Sequence, residues 1–227
     1  MLVISLAALL EEANAASKNL TGNIRNLPDM FRPENLAQLE RSAKAFGFLA
    51  FHANGDAAVV EYLKGGTLAD DSGPDLMVLF TLDEPAPIAV PISDQSFRTW
   101  AELGMGAHPA YRMVRGIFDG KPAPPLPGLL VFESLTADGP ALYIPLAHAD
   151  TAADVRRCLR QVFSLIDYLA GDSGEKLPLK KLGVELHKCG LGYKRTGARS
   201  VREWLLEAFQ IARENYGEIV STIGLLR

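Results

Sequence analysis

Apolar positions along the chain recur at two spacings, one helical and one alternating, and the two interleave from end to end. Residues 3–17 carry Leu6, Leu9, Leu10 and Ala13 on one side, which predicts an amphipathic helix packed on the body of the protein, and a second helix follows over 34–45. Residues 46–52 form an apolar run containing Phe46, Phe48 and Phe51, followed by Asn54-Gly55 and by a second apolar run over 57–62. Asn-Gly between two such runs predicts a β-hairpin, because both central residues of a type I′ turn need positive φ. Residues 76–80 read as a buried strand and 88–92 as a shorter one, with Pro91 marking an edge or a strand end. Helices are predicted over 95–103 and 109–118. Strands over 129–134 and 141–145 flank a second turn at 136–139, and a long helix over 151–170 is apolar at Val155, Cys158, Val162, Ile166 and Leu169. Hairpins prevail over alternating βαβ units in this order, so the expected class is α+β, with an antiparallel-sheet α/β sandwich of sensor-like or longin-like outline.

The best-patterned stretch is the last one. Leu179, Leu182, Leu186 and Cys189 fall at i, i+3, i+7 and i+10, in a helix with Pro178 at its start and a stop at Gly190. Ser200 and Glu203 form a capping box ahead of a face made by Val201, Trp204, Leu205, Ala208 and Phe209. Beyond it, residues 211–217 fit either a continuation of the helix to a stop at Gly217 or a hairpin; the β-branched run 218–223, which with 211–215 flanks Tyr216-Gly217, favours the hairpin, a two-stranded wing. Helices followed by a wing make a winged helix-turn-helix. Gly171-Asp172-Ser173-Gly174 is small, polar and flexible, which divides the chain into an α+β domain over 1–172 and a winged helix over 173–227.

The residues Leu177, Leu179, Leu182-Gly183, Leu186, Gly192, Gly197, Val201 and Trp204-Leu205-Leu206, with the run 219–223, stand in an order that resembles an OST-HTH (LOTUS) domain. The resemblance covers about the last quarter of the chain. Thr196 and Ala198 flank Gly197, where that family places aromatic residues. The resemblance implies binding of structured or G-rich RNA, and docking of a protein partner as a second use of the same fold.

Charge strengthens this expectation. The whole chain carries −4, yet residues 174–227 hold ten basic and six acidic residues, a net +4, which leaves −8 on the remainder. A basic segment appended to an acidic body suits an anionic ligand. Lys180, Lys181, Lys188, Lys194, Arg195, Arg199 and Arg202 supply phosphate contacts, and Tyr193 offers a face for a base. A protein partner held by the N-terminal helix or by the winged helix is the competing expectation.

Enzymatic chemistry is less well supported. Asp70, Asp71, Asp75, Asp83 and Glu84 bracket the 76–80 strand, and carboxylates so placed hold magnesium in some nucleases; a solvated acidic loop explains them equally. His52, His108, His148 and His187 lack ligand spacing, and no nucleophile elbow, phosphate loop or dinucleotide fingerprint is present. The sequence therefore assigns no catalytic residue, no metal ligand and no cofactor. Cys158 and Cys189 read as reduced core residues. Residues 1–10 are apolar, but Glu11-Glu12 interrupt them and no basic n-region precedes them, and no run is long enough to span a bilayer. The expected setting is the cytoplasm, away from membranes.

Overall fold

Strand β2 (Ala45–Ala50) is buried at every position, so its side chains must be apolar on both sides, and they alternate: Phe46 and Phe48 face one way, Ala45 and Leu49 the other. It lies inside a six-stranded sheet in the computed structural model, which describes residues 3–5, 32–41, 43–52, 55–80, 109–118, 123–173 and 176–216. The strands are β1 (Val3–Ser5), β2, β3 (Leu76–Phe80), β4 (Gly128–Phe132), β6 (Ala141–Pro145) and β7 (Lys194–Arg195), in the order β1-β3-β2-β4-β6-β7. A separate ladder joins β5 (Asp138–Gly139) to β8 (Arg199–Ser200). Helices and a mixed sheet together make the protein α+β.

The mixed character corrects the antiparallel expectation. β1 and β2 both run parallel to β3, whereas β2, β4, β6 and β7 pair antiparallel. The parallel half exists because residues 57–62 are not a strand. They belong to helix α2 (Ala57–Lys64), which buries Val59 and Tyr62 at helical spacing, and with α3 (Leu68–Asp71) it forms the crossover from β2 to β3. Gly55 lies in a tight turn instead of a hairpin. The Gly55 and Asp56 amides both donate to the His52 carbonyl, at 3.0 and 2.8 Å. Val3–Ser5 likewise is a strand rather than helix, in register with Val78, Leu79 and Phe80. The remainder of the predicted N-terminal helix, the 88–92 strand and the 95–103 helix lie outside the described residues. The second predicted hairpin is present, with Phe132 opposite Ala141.

Two apolar cores follow from the alternation. On one face Phe46, Phe48, Met77, Leu130, Phe132 and Tyr143 meet helices α1 (Pro33–Glu40), α4 (Pro109–Ile117) and α7 (Val201–Tyr216). On the other, Leu49, Val78, Leu129, Val131, Leu142 and Ile144 meet α2, α5 (Ala152–Ser173) and α6 (Leu179–Lys188). None of the described helices is long and apolar enough to cross a membrane.

The chain beyond residue 173 is built into these same layers. β7 extends the sheet beside β6, β8 pairs with β5, and Trp204 of α7 packs edge-on to Phe48 with ring centroids 5.3 Å apart. The Trp204 indole N–H donates to the Met113 carbonyl on α4 at 2.7 Å. Residues 211–215 continue α7 to Tyr216 instead of forming the first strand of a wing; the predicted second strand, 218–223, lies outside the described residues. At the expected boundary, α5 runs on through Gly171 to Ser173.

Candidate nucleic-acid interface

Helix α6 owes its limits to its sequence. Pro178 sits before it in an extended conformation, and the chain leaves through Gly190 at φ +74°, a left-handed value that glycine adopts without a Cβ clash. The Leu191 amide donates back to the Leu186 carbonyl at 2.9 Å and the Gly190 amide to the His187 carbonyl at 3.0 Å, which closes the helix in a Schellman motif. Leu179, Leu182 and Leu186 are buried against the sheet. That leaves Lys180, Lys181, Val184, His187 and Lys188 on the outer surface at helical spacing. Cys189, expected in the core, lies past the last turn and is exposed; both thiols are free. Cys158 is half-buried, and burial pushes its thiol pKa up.

Tyr193 then crosses back over α6. A Cβ on residue 183 would lie 2.8 Å from its hydroxyl oxygen and 2.9 Å from Cζ, so Gly183 is what lets the ring lie against the helix backbone. The ring remains 38% exposed. Lys194 and Arg195 follow as β7, opposite Tyr143 and Leu142 respectively. Partners in an antiparallel pair share a side, so Arg195 lies toward the α6 face and Lys194 toward the α4 and α7 face. Thr196 fixes this edge: its hydroxyl accepts from the Ala141 amide at 2.7 Å, its own amide donates to the Ala141 carbonyl at 3.0 Å, and it is buried. Thr196 is thus an anchor that charge and periodicity do not reveal.

The remaining predicted contacts are arranged differently. Both Glu207 carboxylate oxygens accept from Arg199 Nη2, at 2.7 and 2.8 Å, and Arg202 is half-buried with a partner of its own. Ser200 Oγ accepts from the Glu203 amide at 3.3 Å, as the capping box requires. Lys188 pairs with Glu185 at 2.7 Å on α6, and this hydrogen bond raises the Lys188 pKa. The eight predicted residues therefore fall into two groups. Lys180, Lys181, Lys188, Tyr193 and Arg195 gather on and beside α6, whereas Arg199 and Arg202 sit at the start of α7, across the sheet, with Lys194 at the edge between them. Among the described residues, Lys180, Lys181, Lys194 and Arg195 make no ion pair.

The carboxylates singled out for metal chemistry are separated by their partners. Asp71 is 4% exposed and accepts from Arg156 Nε and Nη2, Tyr62 Oη and Thr67 Oγ1, with Arg160 3.6 Å away. Burial alone would raise its pKa; the hydrogen bonds and the Arg156 charge outweigh it and hold the carboxyl below its usual range. The same environment pushes the Tyr62 phenol up, through burial first and the Asp71 charge second. Asp71 thus ties α3 to α5. Asp75 pairs with Lys44 at 3.5 Å, Asp70 is exposed, and Asp83 lies outside the described residues. Among the described residues no group of three or more His, Cys, Asp or Glu is placed to hold a metal ion.

The strongest carboxylate site is one that sequence patterning misses. Glu40, at the end of α1, accepts from the Ser134 and Thr136 hydroxyls, from the Leu135 and Thr136 amides at 2.6 and 3.1 Å, and from Lys176 at 3.3 Å. Burial works to raise its pKa, yet the hydrogen bonds prevail and hold it at about 2 instead of 4.5. Its partners lie 94 to 136 residues away in the chain, beyond the reach of any local motif.

No family model matches the chain, and neither a curated protein nor a solved structure does.

Proposed function

We propose that the protein is an RNA-binding adaptor or regulator that works in the cytoplasm and contacts RNA through the outer face of α6 and the adjoining β7 edge. The observation that carries this reading is the exposed cation set Lys180, Lys181 and Arg195, which makes no ion pair among the described residues, beside the held aromatic Tyr193. Phosphate binding draws on cations whose charge is not already neutralised, and each such contact releases a counterion. Arg199, satisfied by Glu207, contributes less than its charge suggests. The resemblance of the C-terminal segment to OST-HTH domains supports the same reading and adds the preference for structured or G-rich RNA.

The test is a titration of a structured, G-rich RNA with the wild-type chain and with the Lys180→Glu, Lys181→Glu, Arg195→Glu triple variant. The expected outcome is loss of affinity by at least about tenfold, with the slope of log K against log salt reduced by roughly two. Equal affinity and equal slope for the two proteins would remove the proposal.

A further inference from the structure

The large apolar side chains exposed among the described residues are Tyr168, Val184 and Tyr193, and all three lie on or beside α6. Val184 is on the outer face of that helix between Lys180 and Lys188. Tyr193 is seated against Gly183. Tyr168, 67% exposed, is on α5, the helix that packs against α6. One cationic helix face thus carries the ring of Tyr193, and a second accessible ring stands on the helix packed beside it.

Phosphate contacts alone need no aromatic partner, and a duplex already stacks its bases on one another. Rings exposed beside cations match an unpaired strand, whose bases present free π-faces. Tyr193 is held by its contact with Gly183, so little further freedom is lost when a base covers it. We infer that the α6 face takes an unpaired stretch of RNA, with bases stacked on Tyr193 and on Tyr168 and phosphates on Lys180 and Lys181. This rests on the RNA-binding reading above and specifies which part of a structured RNA is engaged: a loop or tail instead of a stem.

Fluorescence anisotropy with a short unpaired RNA and with a blunt RNA duplex of the same length tests it. The wild-type chain should prefer the unpaired RNA. Tyr168→Ala and Tyr193→Ala should each weaken that binding roughly tenfold while leaving the salt slope and the duplex affinity unchanged. Tyr168→Phe and Tyr193→Phe, which keep the ring and the fold, should bind as wild type. Equal binding of both RNAs, with no effect of either alanine, overturns the stacking inference and leaves RNA binding standing. Failure to bind either RNA overturns both. Self-association of the purified chain that Tyr168→Ala abolishes, with RNA binding unaltered, would overturn it in favour of a protein contact.

Discussion

The two faces of the sheet are alike inside and different outside. Each buries the alternating apolar residues of β2, β3, β4 and β6 under helices, and each includes one helix from the basic C-terminal segment. On the α7 face, however, that helix faces inward with its largest residue: Trp204 is 1% exposed between Phe48 and Phe132, and Arg199 beside it is closed off by Glu207. On the α6 face the buried contribution is three leucines, and the outer surface keeps exposed rings and two lysines, Lys180 and Lys181, that make no ion pair among the described residues. A count of positive residues gives both helices similar standing; the positions of the acidic partners separate them. One face closes its aromatic residue and its arginine inward, and the other leaves its lysines and rings at the surface.

The largest effect is expected where that contrast is deepest. Trp204→Ala removes two ring contacts and a hydrogen bond to Met113, and should cost about 3–5 kcal/mol in urea unfolding, enough to test whether α7 stabilises the whole sheet. A change well under about 1 kcal/mol would mean that α7 contributes little to that core.

Glu40 bears on how the faces are joined, since it belongs to α1 on the α7 side and holds Lys176 just ahead of α6. Folded Glu40 has its pKa depressed to about 2 from 4.5, so its stabilisation is complete above about pH 4.5 and fades as the pH falls toward 2. Glu40→Gln should cost about 1–3 kcal/mol at neutral pH and flatten the acid limb of stability across that window. An unaltered acid limb, measured by denaturant midpoints from pH 2 to 7, would show that the carboxylate is not the tie described.

Much of this arrangement is legible in the sequence, and the exceptions have physical causes. The β4–β6 hairpin, α5, α6 and the start of α7 each carry a local signal, in period, cap or stop, that tertiary contacts reinforce. The β2–α2–β3 crossover is hidden because Asn54-Gly55 is a turn signal that says nothing about the element after it. Val3–Ser5 lies in a run whose apolar residues also fit a helical spacing, and its strand state comes from pairing with β3, 75 residues away. Ile211 follows a strong helix pattern that continues through Tyr216, which outweighs the hairpin expected there. At the candidate interface the charges and Tyr193 are visible in the sequence. The Arg199–Glu207 pair, the Thr196 anchor and the seating of Tyr193 on Gly183 depend on how the chain comes together.

The smallest effect on stability should come from the exposed cations, and these decide the functional half of the comparison. Removing Lys180 and Lys181 should change folding by less than about 0.5 kcal/mol, since neither side chain is buried or paired among the described residues. The measurement that bears most directly on the account is RNA affinity across a salt series for two double variants, Lys180→Gln with Lys181→Gln on α6 and Arg199→Gln with Arg202→Gln at the start of α7. The account predicts that the α6 pair weakens binding by at least about tenfold and lowers the salt slope, while the α7 pair, once shown to be folded, binds as wild type. Loss of binding confined to the α7 pair would contradict it.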